Sequence, residues 1–165
     1  MFFGRAGERK LDIRVRITNG EGEVVIKSGF FGAYDRVEIS QMIEAGQFLG
    51  PVKIMAQLAF KVEVGERETF NFKLAGGIVV SLVYAGPLVY IELEKMSSEL
   101  DLGKNNNQLK KLASPLGLQI LNEKEFDALC NRLADKIDWP FGGESNDYDK
   151  LGELLALHIN KRAKR

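Results

Sequence analysis

The 165-residue sequence predicts an α+β protein: an antiparallel β-sheet of about five to seven strands with one short inserted helix, followed by C-terminal helices. Three observations predict it. Strict apolar/polar alternation opens the chain at "LDIRVRIT", a charge-free run rich in β-branched letters fills residues 74–91, and apolar letters recur at helical spacing after Asn122.

The elements follow in order. In "LDIRVRIT", Leu11, Ile13, Val15 and Ile17 alternate with Asp12, Arg14, Arg16 and Thr18, a half-buried strand with its arginines on the wet face. Asn19-Gly20 is a hairpin turn, because both residues tolerate positive φ, and "EVVIKSGFF" is the return strand. In "SQMIEAGQFL", Met42, Ile43, Phe48 and Leu49 stand near helical spacing. A short helix is expected there, capped by Ser40 and stopped by Gly50-Pro51. "VKIMAQLAFKVEV" reads as a long strand with Leu58, Phe60, Val62 and Val64 on one face. "GERE" turns it, and "TFNFKLA" returns with Phe70, Phe72 and Leu74 inward.

Residues 74–91, "LAGGIVVSLVYAGPLVYI", form 18 positions without a charge. A membrane-spanning helix needs about 20 apolar residues, and this run is broken by Gly76-Gly77 and by Ala85-Gly86-Pro87. Its valines, isoleucines and tyrosines suit two strands, 78–84 and 88–94, apolar on both faces and therefore expected to be central and covered on both sides. A soluble core is expected, not a membrane span.

Beyond Glu94, "NNNQLKKLAS" predicts a short helix ended by Pro115, and "LGLQIL" a short apolar segment. "NEKEFDALCNRLADKI" is the clearest helix, with Asn122 and Glu125 as a capping box and Phe126, Leu129, Cys130, Leu133 and Ile137 as its apolar stripe. After the loop "DWPFGGESN", a last helix carries Leu151, Leu154, Leu155, His158 and Ile159 on one face. The domain reading is a basic N-terminal arm (1–10), a β-rich core (11–95) and an α-rich part with a basic tail (96–165), with no evident linker.

Composition sets limits on function. Apolar residues make up 45% and charged residues 28%, values of a folded chain. Acidic and basic residues balance at 23 each, yet the first ten residues carry +2 and the last five, "KRAKR", carry +4. A single cysteine, Cys130, forms no intramolecular disulfide and suggests a reducing, cytoplasmic setting. The first residues lack the apolar run of a signal peptide.

No catalytic, cofactor or metal motif emerges. Cys130 lies on an apolar stripe, and His158, the one histidine, on another, so packing explains both. The carboxylates Glu144, Asp147 and Asp149 lack the spacing of a calcium loop and suit the start of a helix. Binding is the better prospect. Arg14 and Arg16 share a strand face, and Lys61, Lys73 and Arg67 are expected on neighbouring strands or the turn between them. Basic groups across a sheet with nearby aromatics hold single strands by charge and stacking. Lys110, Lys111 and the tail residues Lys161, Arg162, Lys164 and Arg165 are further phosphate contacts on this reading. Trp139 and Phe141 are large for a turn, and either meet a partner or fold back onto the core.

Residues 97–130, "SSELDLGKNNNQLKKLASPLGLQILNEKEFDALC", resemble the second half of a BRCT domain. The resemblance implies a basic helix, Gly117 before a short strand at residues 118–121, and an acidic helix entered at "NEKEF" with Phe126. The family's phosphate-binding lysine corresponds to Gln108, so phosphopeptide binding is not implied. The order of a strand group, a helix, a four-strand meander and a further helix also resembles Whirly-type single-strand binders. Together these features predict a non-enzymatic binding protein associated with single-stranded DNA, RNA or a nucleoprotein complex, with no cofactor. The alternatives are an assembly subunit of a phage or secretion-type complex, meeting protein partners or its own copies, and a small regulator of one protein.

Overall fold

The computed structural model describes residues 1–6, 9–29, 36–58 and 61–160. Phe60 and the basic tail lie outside them. The chain divides into two compact units, one made of Met1–Phe30, Arg36–Val64 and Trp139–Arg165, the other of Phe31–Asp35 and Gly65–Asp138. This division differs from the expected cut at residue 95, because the chain leaves the first unit at Val64 and re-enters it at Trp139, which pair directly.

In the first unit, β1 (Phe2–Ala6), β2 (Arg9–Thr18), β3 (Glu21–Gly29), β4 (Arg36–Ile43), β5 (Lys61–Val64) and β9 (Trp139–Pro140) form one antiparallel sheet, ordered β4-β3-β2-β1-β5-β9. The Asn19-Gly20 hairpin is as expected, with φ of 52° and 82°. Residues 2–6, expected in an arm, are instead a ladder strand between β2 and β5.

The inserted helix exists but is displaced. Ser40 pairs with Val25 inside the β3–β4 ladder, so it caps nothing, and α1 (Leu49–Ala56) begins nine residues later. Gly50-Pro51 lies in its first turn, where the absent N–H of proline has no intrahelical partner to lose, so the pair starts the helix rather than stopping it. Only Lys61–Val64 of the expected long strand is strand, since Val52, Met55 and Ala56 use helical spacing to reach the core. That core gathers Ile13, Val15, Phe48, Val52, Val62, Phe141 and Leu151, the last from α4 (Ser145–Asn160).

The second unit holds a three-stranded antiparallel sheet, β6 (Glu68–Leu74), β7 (Ile78–Ala85) and β8 (Leu88–Lys95), followed by α2 (Leu102–Ala113) and α3 (Glu123–Lys136). The charge-free run is thus strand, as its glycines and β-branched letters require. Gly76, Gly77 and Gly86 have φ of 77°, 74° and 55° at its turns. Among the described residues no helix is long and apolar enough to cross a membrane. The α3 capping box forms: Asn122 Oδ1 accepts from the Glu125 N–H at 3.0 Å, and Glu125 accepts from the Asn122 N–H at 2.9 Å. Residues 118–121 join α2 to α3 without being a strand, because they pair with no ladder.

One ion pair ties together the two ends of residues 65–138. Arg67 Nη1 and Nη2 donate to the two carboxylate oxygens of Asp138 at 2.7 and 2.8 Å. Burial alone pulls the Arg67 guanidinium down, but the hydrogen bond and charge of Asp138, with Tyr90, outweigh it and hold Arg67 above its ordinary value. The Asp138 side chain is 2% exposed, so removing it strands a cation. Asp138→Ala is expected to cost about 3–5 kcal/mol in denaturant unfolding. Gly65→Ala, whose new methyl would collide with the Asp138 carboxylate, should destabilise in the same direction. A loss below about 1 kcal/mol for Asp138→Ala would mark the pair as a surface ornament.

Candidate functional site

The polar face of the six-stranded sheet is an ionic ladder. Register places Glu38, Lys27 and Asp12 in one row, Ser40, Val25 and Arg14 in the next, and Met42, Glu23 and Arg16 in a third. Within and between rows the charges find each other. Arg14 donates to both oxygens of Asp12 at 2.6–3.1 Å, and Arg16 Nε to Glu23 at 2.7 Å. Lys27 pairs with Glu38 at 2.8 Å, and Lys61 with Glu63 at 3.0 Å. Nor is this face simply wet, as expected: Val25 is 0% and Asp12 1% exposed. Arg14, Arg16 and Lys61 are therefore not a free basic strip, since each holds a carboxylate that burial would otherwise penalise. Burial pushes the Glu23 carboxyl up, but hydrogen bonds from Arg16 and Ser40 and the charges of Arg16 and Lys27 outweigh it. They hold Glu23 below its ordinary value.

The remaining predicted contacts are dispersed. Trp139 and Phe141 belong to the first unit's core. Phe141 is 5% exposed and meets the Tyr148 ring edge-on at 5.0 Å, so it offers nothing to a partner. Trp139 packs against that core and carries Lys150 over its ring at 3.9 Å. Both aromatics fold back, the second of the two expectations. Lys73, on β6, is exposed and belongs to the second unit, as do Lys110 and Lys111 in the last turn of α2, where cations suit the helix dipole. Lys161, Arg162, Lys164 and Arg165 lie outside the described residues. Cys130 is half-buried, whereas His158 is exposed near the end of α4 rather than on its packed side. Among the described residues no three His, Cys, Asp or Glu side chains converge as metal ligands.

What the structure adds is an open apolar face on the second unit's sheet. Register sets Phe70, Leu82 and Ile91 in one row and Phe72, Val80 and Leu93 in the next, with Tyr84 beside Val89 and Leu74 beside Ile78, which alone of these is buried, at 5% exposed. On β7 the opposite face is buried through Ser81, Val83 and Ala85. Period-two alternation then turns Phe70, Phe72 and Tyr84 outward, with Phe72 54% and Val89 53% exposed. The expectation that Phe70, Phe72 and Leu74 point inward, and that both strands are covered on two sides, is thereby corrected. Only β7 is central, and β6 and β8 are edges. Phe70 and Tyr84 meet edge-to-face at 5.9 Å on this surface. Alternation of Phe70, Phe72 and Leu74 with Thr69, Asn71 and Lys73 showed two distinct faces in the sequence. Which of them would be covered depends on the central strand.

No known protein family, curated protein or solved structure matches the chain.

The ionic ladder makes a pH prediction. A carboxylate held below its unfolded value stabilises the fold above that value, about 4.5, and loses its contribution as pH falls through the lower folded value. Glu23→Gln should therefore flatten the fall in unfolding free energy between about pH 5 and pH 3, measured by urea titration at each pH. Identical slopes in the two proteins would show that Glu23 contributes nothing to acid sensitivity.

Proposed function

We propose that the chain is a non-enzymatic protein-interaction subunit that works through the open face of β6, β7 and β8. A phage or secretion-type assembly is the kind of complex in which such a subunit serves, and the lone cysteine suits a reducing, cytoplasmic setting. The observation that carries the reading is the contiguous block of half-exposed aromatic and aliphatic side chains around Phe70, Phe72, Tyr84, Val89 and Ile91. Monomeric proteins seldom leave an apolar patch of more than a few hundred Å² uncovered, and larger ones mark interaction sites. The charge distribution supports the same reading, because Arg14, Arg16 and Lys61 spend their charge on carboxylates of their own unit.

A second reading has one observation in its favour. Phe70, Phe72 and Tyr84 on a sheet face would serve as a stacking platform for single-stranded DNA or RNA, with Lys110, Lys111 and the basic tail gripping phosphates. Much of the face is aliphatic, however: Leu74, Val80, Leu82, Val89, Ile91 and Leu93 give bases nothing to stack on. A protein surface is the better complement.

Two measurements decide. A photo-crosslinking amino acid at position 72, in producing cells, should yield discrete protein adducts that are absent when the same group replaces Lys53. Labelled single-stranded DNA and RNA should show no binding tighter than roughly 10 μM at about 50 mM salt. Micromolar binding that weakens with salt and disappears in Phe70→Ala/Phe72→Ala would transfer the face to the second reading. Absence of any adduct at position 72 would remove the first.

A further inference from the structure

Resting on the reading of this face as a protein interface, we infer that its occupant is a second copy of the same chain, packed face to face with its strands crossed. The charges on the face argue for this. Of the residues that register places on it, only Glu68 and Lys95 are ionic, and they stand at diagonally opposite corners: Glu68 at the start of β6, Lys95 at the end of β8. A two-fold axis lying in the interface, perpendicular to the line that joins them, exchanges these corners. It sets each copy's Glu68 against the other's Lys95 and, on a face roughly 10 Å by 20 Å, crosses the strands at about 50°. Lys95 is held at its corner by Gln108, whose Oε1 accepts from Nζ at 2.8 Å. An isologous contact needs such a self-complementary surface, and like charges meet nowhere in it.

The area agrees. The exposed parts of Phe70, Phe72, Leu74, Tyr84, Val89 and Ile91 amount to roughly 600 Å² per copy, so two copies bury at most roughly 1,200 Å², the lower end of the range for specific interfaces. A face of this size predicts a reversible dimer rather than an obligate one.

The test is sedimentation equilibrium of the full chain from about 1 to 100 μM, with Phe72→Lys as the disrupting variant and circular dichroism as its folding control. The expected result is a concentration-dependent dimer that Phe72→Lys converts to a folded monomer. If Phe72→Lys fails to fold, Val89→Lys at the opposite edge takes its place. Glu68→Lys and Lys95→Glu should each weaken the dimer about tenfold, and the double exchange should restore it. A wild-type chain that stays monomeric to 100 μM overturns the inference. So does a dimer that survives both face variants, or single exchanges that the double exchange does not rescue. A monomeric chain that still crosslinks to another protein from position 72 would refute the second copy and leave the interface reading intact.

Discussion

A carboxylate taken out of water must keep a cation beside it, and much of this structure follows from three that are buried. Asp12, Glu63 and Asp138 have side chains 2%, 4% and 2% exposed, and each sits against one basic residue, respectively Arg14, Lys61 and Arg67. The cost of desolvating an ion exceeds what one contact returns unless hydrogen bonds complete the pair. Asp12 and Asp138 obtain those from the forks of Arg14 and Arg67. Glu63 does less well, since its Oε2 is the one buried side-chain atom without a hydrogen-bond partner among the described residues. The cations that look most available in the sequence are therefore spent inside their own units, where Arg14 holds Asp12 and Arg67 closes the second unit.

Charge committed in this way leaves apolar surface as the more informative exterior. Alternation permits a strand to hide one set of side chains and obliges it to show the other unless a second layer arrives. β7 is apolar on both faces, and Ser81, Val83 and Ala85 take the covered side. The side bearing Leu82 and Tyr84 has no such layer over its aromatic members, so Phe70, Phe72 and Tyr84 stay 48%, 54% and 39% exposed.

Local signals in the sequence were legible where one short-range rule decided the outcome. The Asn19-Gly20 turn, the hairpin in residues 74–91 and the capping box at Asn122 are each fixed by a few adjacent letters, and each formed. Reading failed where a distant partner decided. Met42 and Ile43 fit a helix until β3 offers a ladder to pair with, and Val52 fits a strand until the core requires helical spacing. Chain order misled in another way. The β-rich and α-rich halves looked like the natural division, but Val64 and Trp139 are paired neighbours 75 positions apart, so residues 65–138 form an insertion. Nothing local to either residue announces that pairing. The candidate site is legible only as chemistry: the sequence shows Arg14 and Arg16 as ionic and sets Asp12 on the same wet face, but neither Asp12 nor Glu23 is marked there as the group that consumes them.

The two features, paired charge and open apolar surface, act together on association. Aliphatic and aromatic contact supplies attraction without direction, and a face made of it alone would accept many partners. Long-range repulsion is the usual guard against that, but this chain has no net charge and its ladder is neutral pair by pair. Selectivity must therefore come from the rim of the face itself. There the register leaves one acid and one base at opposite corners, far enough apart that neither neutralises the other within one copy. Such a pair adds little to affinity in water but penalises any arrangement that brings like charges together. Orientation is thus set by Glu68 and Lys95, while strength is set by the aromatic block between them.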